Sequence, residues 1–383
     1  MTDLVRQEVV CHAQRVVVKI GTRPLTRADG RLDEAHIAAL AEEVHQLTSE
    51  DRRIVLVSSG AVGAGMGQLQ RPSRPKDLPQ LQAVAAIGQS YLVQAYDRAL
   101  RRHGRHAAQI LLTAEDLENR TRYLNVRNTL TALMDLDAVP IVNENDTVSV
   151  DELQTTFGDN DRLAAFVTNL LQASLLIILS DVDGLFDRDP EAPHARLIPL
   201  VRQIDEQIMS LTTDRVTTLS KGGMASKLEA ARIVTAAGEN VIIANGRHPG
   251  TLTRILAGET VGTLILAKGP MVAARKRWIG FAVQPRGELI LDDGARRAIE
   301  HQGRSLLPVG VVGVVGQFDK GDVVALHDQQ GAEFARGLTN YTAGEVLRIK
   351  GLNTTQIEQT LGHRPYQEVV HRDNLMLTPA PEN

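Results

Sequence analysis

Cysteine is almost missing from this 383-residue sequence: Cys11 stands alone, so no intrachain disulfide can form, and a reducing, cytoplasmic setting is the expectation. Long apolar stretches are missing too. No run of 18 apolar residues occurs, and the N-terminus, which carries Asp3, Arg6, Glu8 and Arg15, has no apolar segment of signal-peptide length, so no membrane association is expected. The common nucleotide signatures are absent. No Gly-Lys dipeptide occurs, which excludes a P-loop, and Gly60, Gly63, Gly65 and Gly67 do not fit GxGxxG. There is no HExxH and no paired CxxC, which argues against a structural or hydrolytic zinc centre. An excess of positive charge is also lacking: the net charge of −4 gives no general attraction to nucleic acid or anionic membrane.

What is present is ordinary for a globular protein, with 43% apolar and 23% charged residues. The length calls for two domains. Short runs rich in Val, Ile and Leu recur at 16–20, 54–57, 139–142, 175–179 and 241–244, the pattern of strands buried on both faces. Between them lie amphipathic stretches such as Ile37, Leu40, Ala41, Val44 and Leu47. The alternation predicts a mostly parallel sheet covered by helices on both sides. Around 267–286 the pattern changes, and strand-like segments at 309–315 and 323–326 follow, with short helices near 293–301 and 343–349. The expected division is therefore 1–270 for the α/β domain, 271–285 for a linker and 286–378 for a small β-rich domain, with a disordered tail at 379–383.

The residues that close each run are small and polar, where ligands bind in open α/β sheets. VVVKIGT (16–22) puts Lys19 inside a buried strand just before Gly21, and such a lysine needs a phosphate or carboxylate partner. SSGAVGAGMG (58–67) leads a strand into a glycine-rich turn and a helix, whose backbone N–H groups around Ser59 and Gly60 can hold an anion. IVNENDTV (141–148) and FGDNDRLAA (157–165) cluster carboxamides and carboxylates, the donors and acceptors that an amino-acid ligand requires. SKGGMASK (220–227) sets glycines before a helix carrying Lys227, suited to phosphates. Each segment alone also has a bland reading: a snorkelling lysine, glycine packing, turn and cap residues, or an exposed loop.

Taken in order, these segments resemble the amino acid kinase family over essentially the whole chain, most closely the branch that acts on free glutamate. LLTAEDL (111–117), YLNVRNTL (123–130), KRWI (276–279) and VHRDNL (370–375) add to the likeness. The resemblance implies a three-layer α/β/α sandwich and ATP-dependent phosphorylation of the γ-carboxylate of L-glutamate, the first step towards proline, with proline as feedback inhibitor. It implies that Lys19 and Lys227 stabilise the transferring phosphoryl group and that Asp161 holds those lysines. It assigns Ser59, Gly60, Asn143, Asp146, Asp159 and Asn160 to glutamate. Lys19, Gly21, Ser180, Asp181, Lys221, Gly222, Gly223, Met224, Ala225, Ser226 and Lys227 are assigned to ATP, with Mg²⁺ bridging its phosphates and no metal held by the protein alone. Ser220-Lys221 and Arg23 depart from the family pattern, and both add positive charge near the nucleotide. A homo-oligomer, dimer or tetramer, is implied, and the downstream glutamyl phosphate reductase is a candidate partner.

The segment 287–314 resembles a PUA module, a type found in RNA-modifying enzymes. From Arg286 onward, however, ten Lys/Arg face thirteen Asp/Glu, the wrong balance for a phosphate-driven surface, so a structural or regulatory use is favoured over RNA binding. Two other readings compete with glutamate phosphorylation. One is a different acid substrate on the same fold, such as aspartate, N-acetylglutamate or carbamate. The other is an RNA-binding protein with a relic kinase half.

Overall fold

The computed structural model describes residues 4–27, 30–71, 73–148, 160–211, 223–269, 276, 278–353, 356–362 and 366–378. The chain divides into two compact units, Met1–Met271 and Val272–Asn383. Of the expected linker, 271–275 and 277 lie outside the described residues, as does the tail at 379–383.

The first unit opens with α1 (Leu4–Cys11), β1 (Arg15–Ile20), α2 (Thr22–Leu25), α3 (Glu34–Ser49), β2 (Arg53–Ser58), α4 (Ala61–Gln68) and α5 (Leu78–Arg101). It continues through β3 (Ala107–Leu112), α6 (Ala114–Glu118), α7 (Arg120–Asp135), β4 (Val139–Glu144), α8 (Asn160–Leu171) and β5 (Leu175–Ser180). It closes with β6 (Leu200–Val201), α9 (Glu206–Ser210), α10 (Met224–Ala236), β7 (Asn240–Asn245), α11 (Thr251–Leu256) and β8 (Thr263–Ile265).

These strands form one eight-stranded sheet in the order β3-β4-β2-β1-β5-β7-β8-β6. All neighbours pair in parallel except β7 with β8. The five apolar runs read from the sequence are its central strands, and they are buried on both faces. The edge strand β3 was not visible as an apolar run, because the exposed Gln109 and half-buried neighbours break the pattern.

Alternation along β1 separates the two covering layers. Val16, Val18 and Ile20 enter one core with Leu40 and Val44 of α3, Leu92 and Tyr96 of α5, and Leu252 and Ile255 of α11. The opposite face is covered by α8, which packs on β1, β2, β4 and β5, and by α10, which packs on β7 and α8. The result is a three-layer α/β/α sandwich. Because β1 is flanked by β2 on one side and β5 on the other, the chain leaves it in opposite directions, and a crevice opens at its carboxyl end.

Two helices on the β2 side sit unusually close. A Cβ at Gly88 of α5 would stand 1.8 Å from the Ala61 carbonyl oxygen of α4, and one at Gly65 of α4 would stand 2.0 Å from that of Val84. Only hydrogen at both positions permits this approach.

The second unit holds a five-stranded sheet of β9 (Gly287–Leu291), β10 (Val311–Gly316), β11 (Val323–His327), β12 (Glu333–Thr339) and β13 (Val370–Leu377), in the order β10-β9-β11-β12-β13. Only β9 and β11 pair in parallel. The helices α12 (Asp293–Gln302), α13 (Ala343–Ile349) and α14 (Ile357–Leu361) accompany it. Its own core includes Leu289, Ile299, Leu326, Phe334, Tyr341 and Val346. No helix among the described residues is long and apolar enough to cross a membrane.

Candidate active site

At the carboxyl end of β1, Lys19 lies on the face opposite Ile20 and so meets α8 and α10. Its Nζ stands 2.5 Å from Oδ1 of Asp161, in the first turn of α8. Lys227 Nζ, in the first turn of α10, stands 3.1 Å from the other oxygen, Oδ2. Ser226 Oγ donates to that same Oδ2 at 2.9 Å. Lys19 and Lys227 are each 4% exposed and Asp161 not at all. Burial alone would push the Asp161 carboxyl up, but the ammonium of Lys19, and then that of Lys227, outweigh it and hold Asp161 well below the usual carboxylate range. The carboxylate is therefore ionised at neutral pH, and the three side chains together carry one positive charge in a dry setting, where charge acts strongly.

One residue earlier the chemistry changes. Asn160, the first residue of α8, donates through Nδ2 to Asn143 Oδ1 at 2.9 Å and to Ser59 Oγ at 2.9 Å. Asn143, buried near the end of β4, donates through its own Nδ2 to Gln89 Oε1 of α5 at 2.7 Å. Asn160 Oδ1 and Gln89 Nε2 are buried and have no hydrogen-bond partner among the described residues. Between Ser59 and α4, Gly60 adopts φ 104°, a left-handed conformation that only glycine takes without strain. Asp146 lines a pocket of about 370 Å³ together with Gln89, Ser90, Glu144, Asn145 and Thr147.

The remaining assigned residues surround β5 and the start of α10. Gly21 N donates to Leu179 O at 3.0 Å, so its amide is committed to the sheet, and Lys19 Nζ would lie 3.9 Å from a Cβ placed on it. The buried Ser180 donates through Oγ to Asp181 Oδ1 at 3.2 Å. Arg23, which departs from the family pattern, pairs with Asp181: its Nη1 stands 2.5 Å from Asp181 Oδ2. Partial burial pushes Asp181 up, but the hydrogen bond and charge of Arg23 reverse this and lower it. Gly223 and Ala225 are exposed, Met224 is half-buried, and Gly223 precedes α10 in an extended conformation. Asp159, Lys221 and Gly222 lie outside the described residues.

The structure thus joins Lys19, Asp161, Ser226 and Lys227 into one cluster, and Ser59, Asn143 and Asn160 into a second that touches it through the Asn160-Asp161 peptide. One member, Gln89, and one neighbour, Tyr96, were missed in the sequence. Gln89 sits in the apolar stripe formed by Leu81, Ala85, Leu92 and Tyr96, and a carboxamide in such a stripe was the available signal. Tyr96 shares a 3.1 Å hydrogen bond with Ser58 Oγ. Nothing in the sequence distinguishes it from an ordinary core aromatic.

Residues 14–245 match the amino acid kinase family and residues 287–361 match the PUA domain. The chain is 48% identical over 378 residues to a glutamate 5-kinase of Rhodopirellula baltica, covering 99% of this chain and 97% of that one. It is 45% identical over 364 residues to a glutamate 5-kinase of Caldanaerobacter subterraneus subsp. tengcongensis, covering 95% and 97%. With kinship along its whole length and two lysines converging on one buried aspartate, the chain belongs to the amino acid kinase family, among the glutamate 5-kinases that carry a PUA domain.

Proposed function

We propose that this chain transfers the γ-phosphoryl group of ATP to the side-chain carboxylate of L-glutamate, giving γ-glutamyl 5-phosphate. The observation that carries the reading is the Lys19–Asp161–Lys227 cluster lying directly beside the neutral Ser59–Asn143–Asn160 set. A carboxylate is ionised at neutral pH and attacks without a general base, so positioning and charge neutralisation suffice. Lys19 and Lys227 set positive charge against the phosphoryl group in transit. Asp161, kept ionised by both, fixes where their ammonium groups stand. Ser59 retains a hydroxyl hydrogen for a substrate carboxylate, and Asn160 Oδ1 is an acceptor for the substrate ammonium. Gly60, Asn143, Asp146 and Asp159 complete the glutamate site. Gly21, Ser180, Asp181, Lys221, Gly222, Gly223, Met224, Ala225 and Ser226 complete the ATP site.

No group of three His, Cys, Asp or Glu suited to a metal ion occurs among the described residues, and both Asp161 oxygens face lysines. Mg²⁺ would arrive with the nucleotide and would supply neutralisation of phosphate charge, while Lys19 and Lys227 stay with Asp161. We place the enzyme in the cytoplasm as a homo-oligomer, dimer or tetramer, at the first step towards proline and inhibited by proline. Its acyl phosphate product hydrolyses readily, which favours direct use by glutamyl phosphate reductase. The PUA domain serves a structural or regulatory role.

The test is ATP- and Mg²⁺-dependent hydroxamate formation from glutamate in hydroxylamine, with aspartate and N-acetylglutamate alongside. Selective, proline-sensitive product from glutamate is expected. Folded protein that gives no product with any of the acids would sink the reading.

A further inference from the structure

Helix α5 buries ten residues, and Gln89, 7% exposed, is the one carboxamide among them. Its position in the stripe would accept Leu or Met, and a buried carboxamide is costly unless its hydrogen bonds are made. Gln89 makes only half of them. Its Oε1 accepts from Asn143 Nδ2 at 2.7 Å, while its Nε2 is buried without a partner. Of its two polar ends, only the acceptor is engaged.

The far end of the row shows what that acceptor accomplishes. With Asn143 Nδ2 engaged by Gln89, Asn143 Oδ1 is turned to Asn160 and takes its Nδ2 at 2.9 Å. Asn160 Nδ2 also reaches Ser59 Oγ at 2.9 Å and stands 3.5 Å from the Ser58 carbonyl oxygen, which can only accept. The amide hydrogens of Asn160 are therefore consumed, and its Oδ1 is left as a buried acceptor with no partner among the described residues. Donors and acceptors alternate in one direction along Gln89, Asn143 and Asn160. An unpaired acceptor suits a cationic donor and rejects a carboxylate.

We infer that Gln89 is a positioning residue for substrate selection: by holding the Asn143 amide in one orientation, it keeps Asn160 Oδ1 open for the α-ammonium of the amino-acid substrate. This rests on the glutamate reading above and adds the residue that distinguishes an amino acid from the same diacid lacking its amine. Without an acceptor at position 89, the Asn143 amide is free to turn, the restraint on Asn160 is lost, and an N–H can face the ammonium.

The experiment compares kcat/KM for hydroxamate formation from glutamate and from glutarate, which is glutamate without the amine, in the wild-type chain and in Gln89→Met and Gln89→Glu. The wild type is expected to prefer glutamate. In Gln89→Met the preference should fall about tenfold to a hundredfold, the scale of one buried polar group left unpaired. That fall should come from a raised KM for glutamate that exceeds any change in the KM for glutarate, with the KM for ATP unmoved. Gln89→Glu, which still offers an acceptor to Asn143, should keep the wild-type ratio. An unchanged ratio in Gln89→Met, or an equal collapse in both variants, overturns the inference. Should Gln89→Met fail to fold by circular dichroism, Gln89→Glu decides alone: a retained ratio supports the inference, a collapsed ratio overturns it. Wild-type protein without glutamate-dependent product overturns the glutamate reading and the inference with it, whereas active wild type with an unmoved ratio overturns the inference alone.

Discussion

Asn160 and Asp161 are neighbours in sequence, yet their side chains enter opposite kinds of chemistry. Asp161 stands between two ammonium groups, fully buried, in a cluster held by charge. Asn160 stands among a hydroxyl and carboxamides, in a row held by the direction of hydrogen bonds. Charge is long-ranged and tolerant of angle, which suits a phosphoryl group changing place during transfer. Neutral hydrogen bonds are short and directional, which suits telling one small acid from another. The first turn of α8 joins the two, so under the proposed function one structural element would set where the reaction happens and which acid takes part.

The sharpest way to break this comparison is Asp161→Asn. Removing the carboxylate leaves two buried ammonium groups facing each other, and a loss of about 3–5 kcal/mol of stability is expected, read by denaturant unfolding. Its pH dependence sharpens the test. Asp161 is held below its ordinary value in the folded chain, so its contribution is complete above the unfolded carboxylate value of about 3.9 and is lost as pH falls below it. The stability gap between wild type and Asp161→Asn should therefore be constant from neutral pH to about 4 and narrow in stronger acid.

Next in size is Lys227→Ala. It leaves Asp161 paired with Lys19, so the fold should survive, but kcat should drop about a hundredfold to a thousandfold, the scale of losing one preorganised group at developing charge. Full activity would remove Lys227 from the reaction. The smallest effect belongs to Arg23→Ala. Its pair with Asp181 is 44% exposed on the arginine side, so stability should change by about 1 kcal/mol or less. The KM for ATP should rise, because the Asp181 carboxylate is then uncompensated. An unchanged KM for ATP would separate Asp181 from the nucleotide.

Much of this was legible in the sequence because burial on both faces leaves continuous apolar runs, as in β1, β2, β4, β5 and β7. Lys19 stood out by interrupting one of them. The edge strand β3 did not, since one side of it lacks a covering neighbour and its residues are mixed. The pairing of Arg23 with Asp181 spans 158 positions, and composition alone could not show it. Gln89 was visible as a polar residue in an apolar stripe, but its partner, Asn143, lies 54 residues away on another element.

The close seating of α4 on α5 has a consequence for interpreting variants. A single methyl at residue 88 would collide with the Ala61 carbonyl 1.8 Å away. Ala61 opens the helix that follows Ser59 and Gly60, and Gln89 is the next residue after Gly88. An inert carbon would press on both walls of the proposed acid site at once. In a genetic screen, Gly88→Ala would therefore score with the active-site knockouts despite its conservative chemistry. Any redesign around the proposed acid site has to treat the two helices as one welded part.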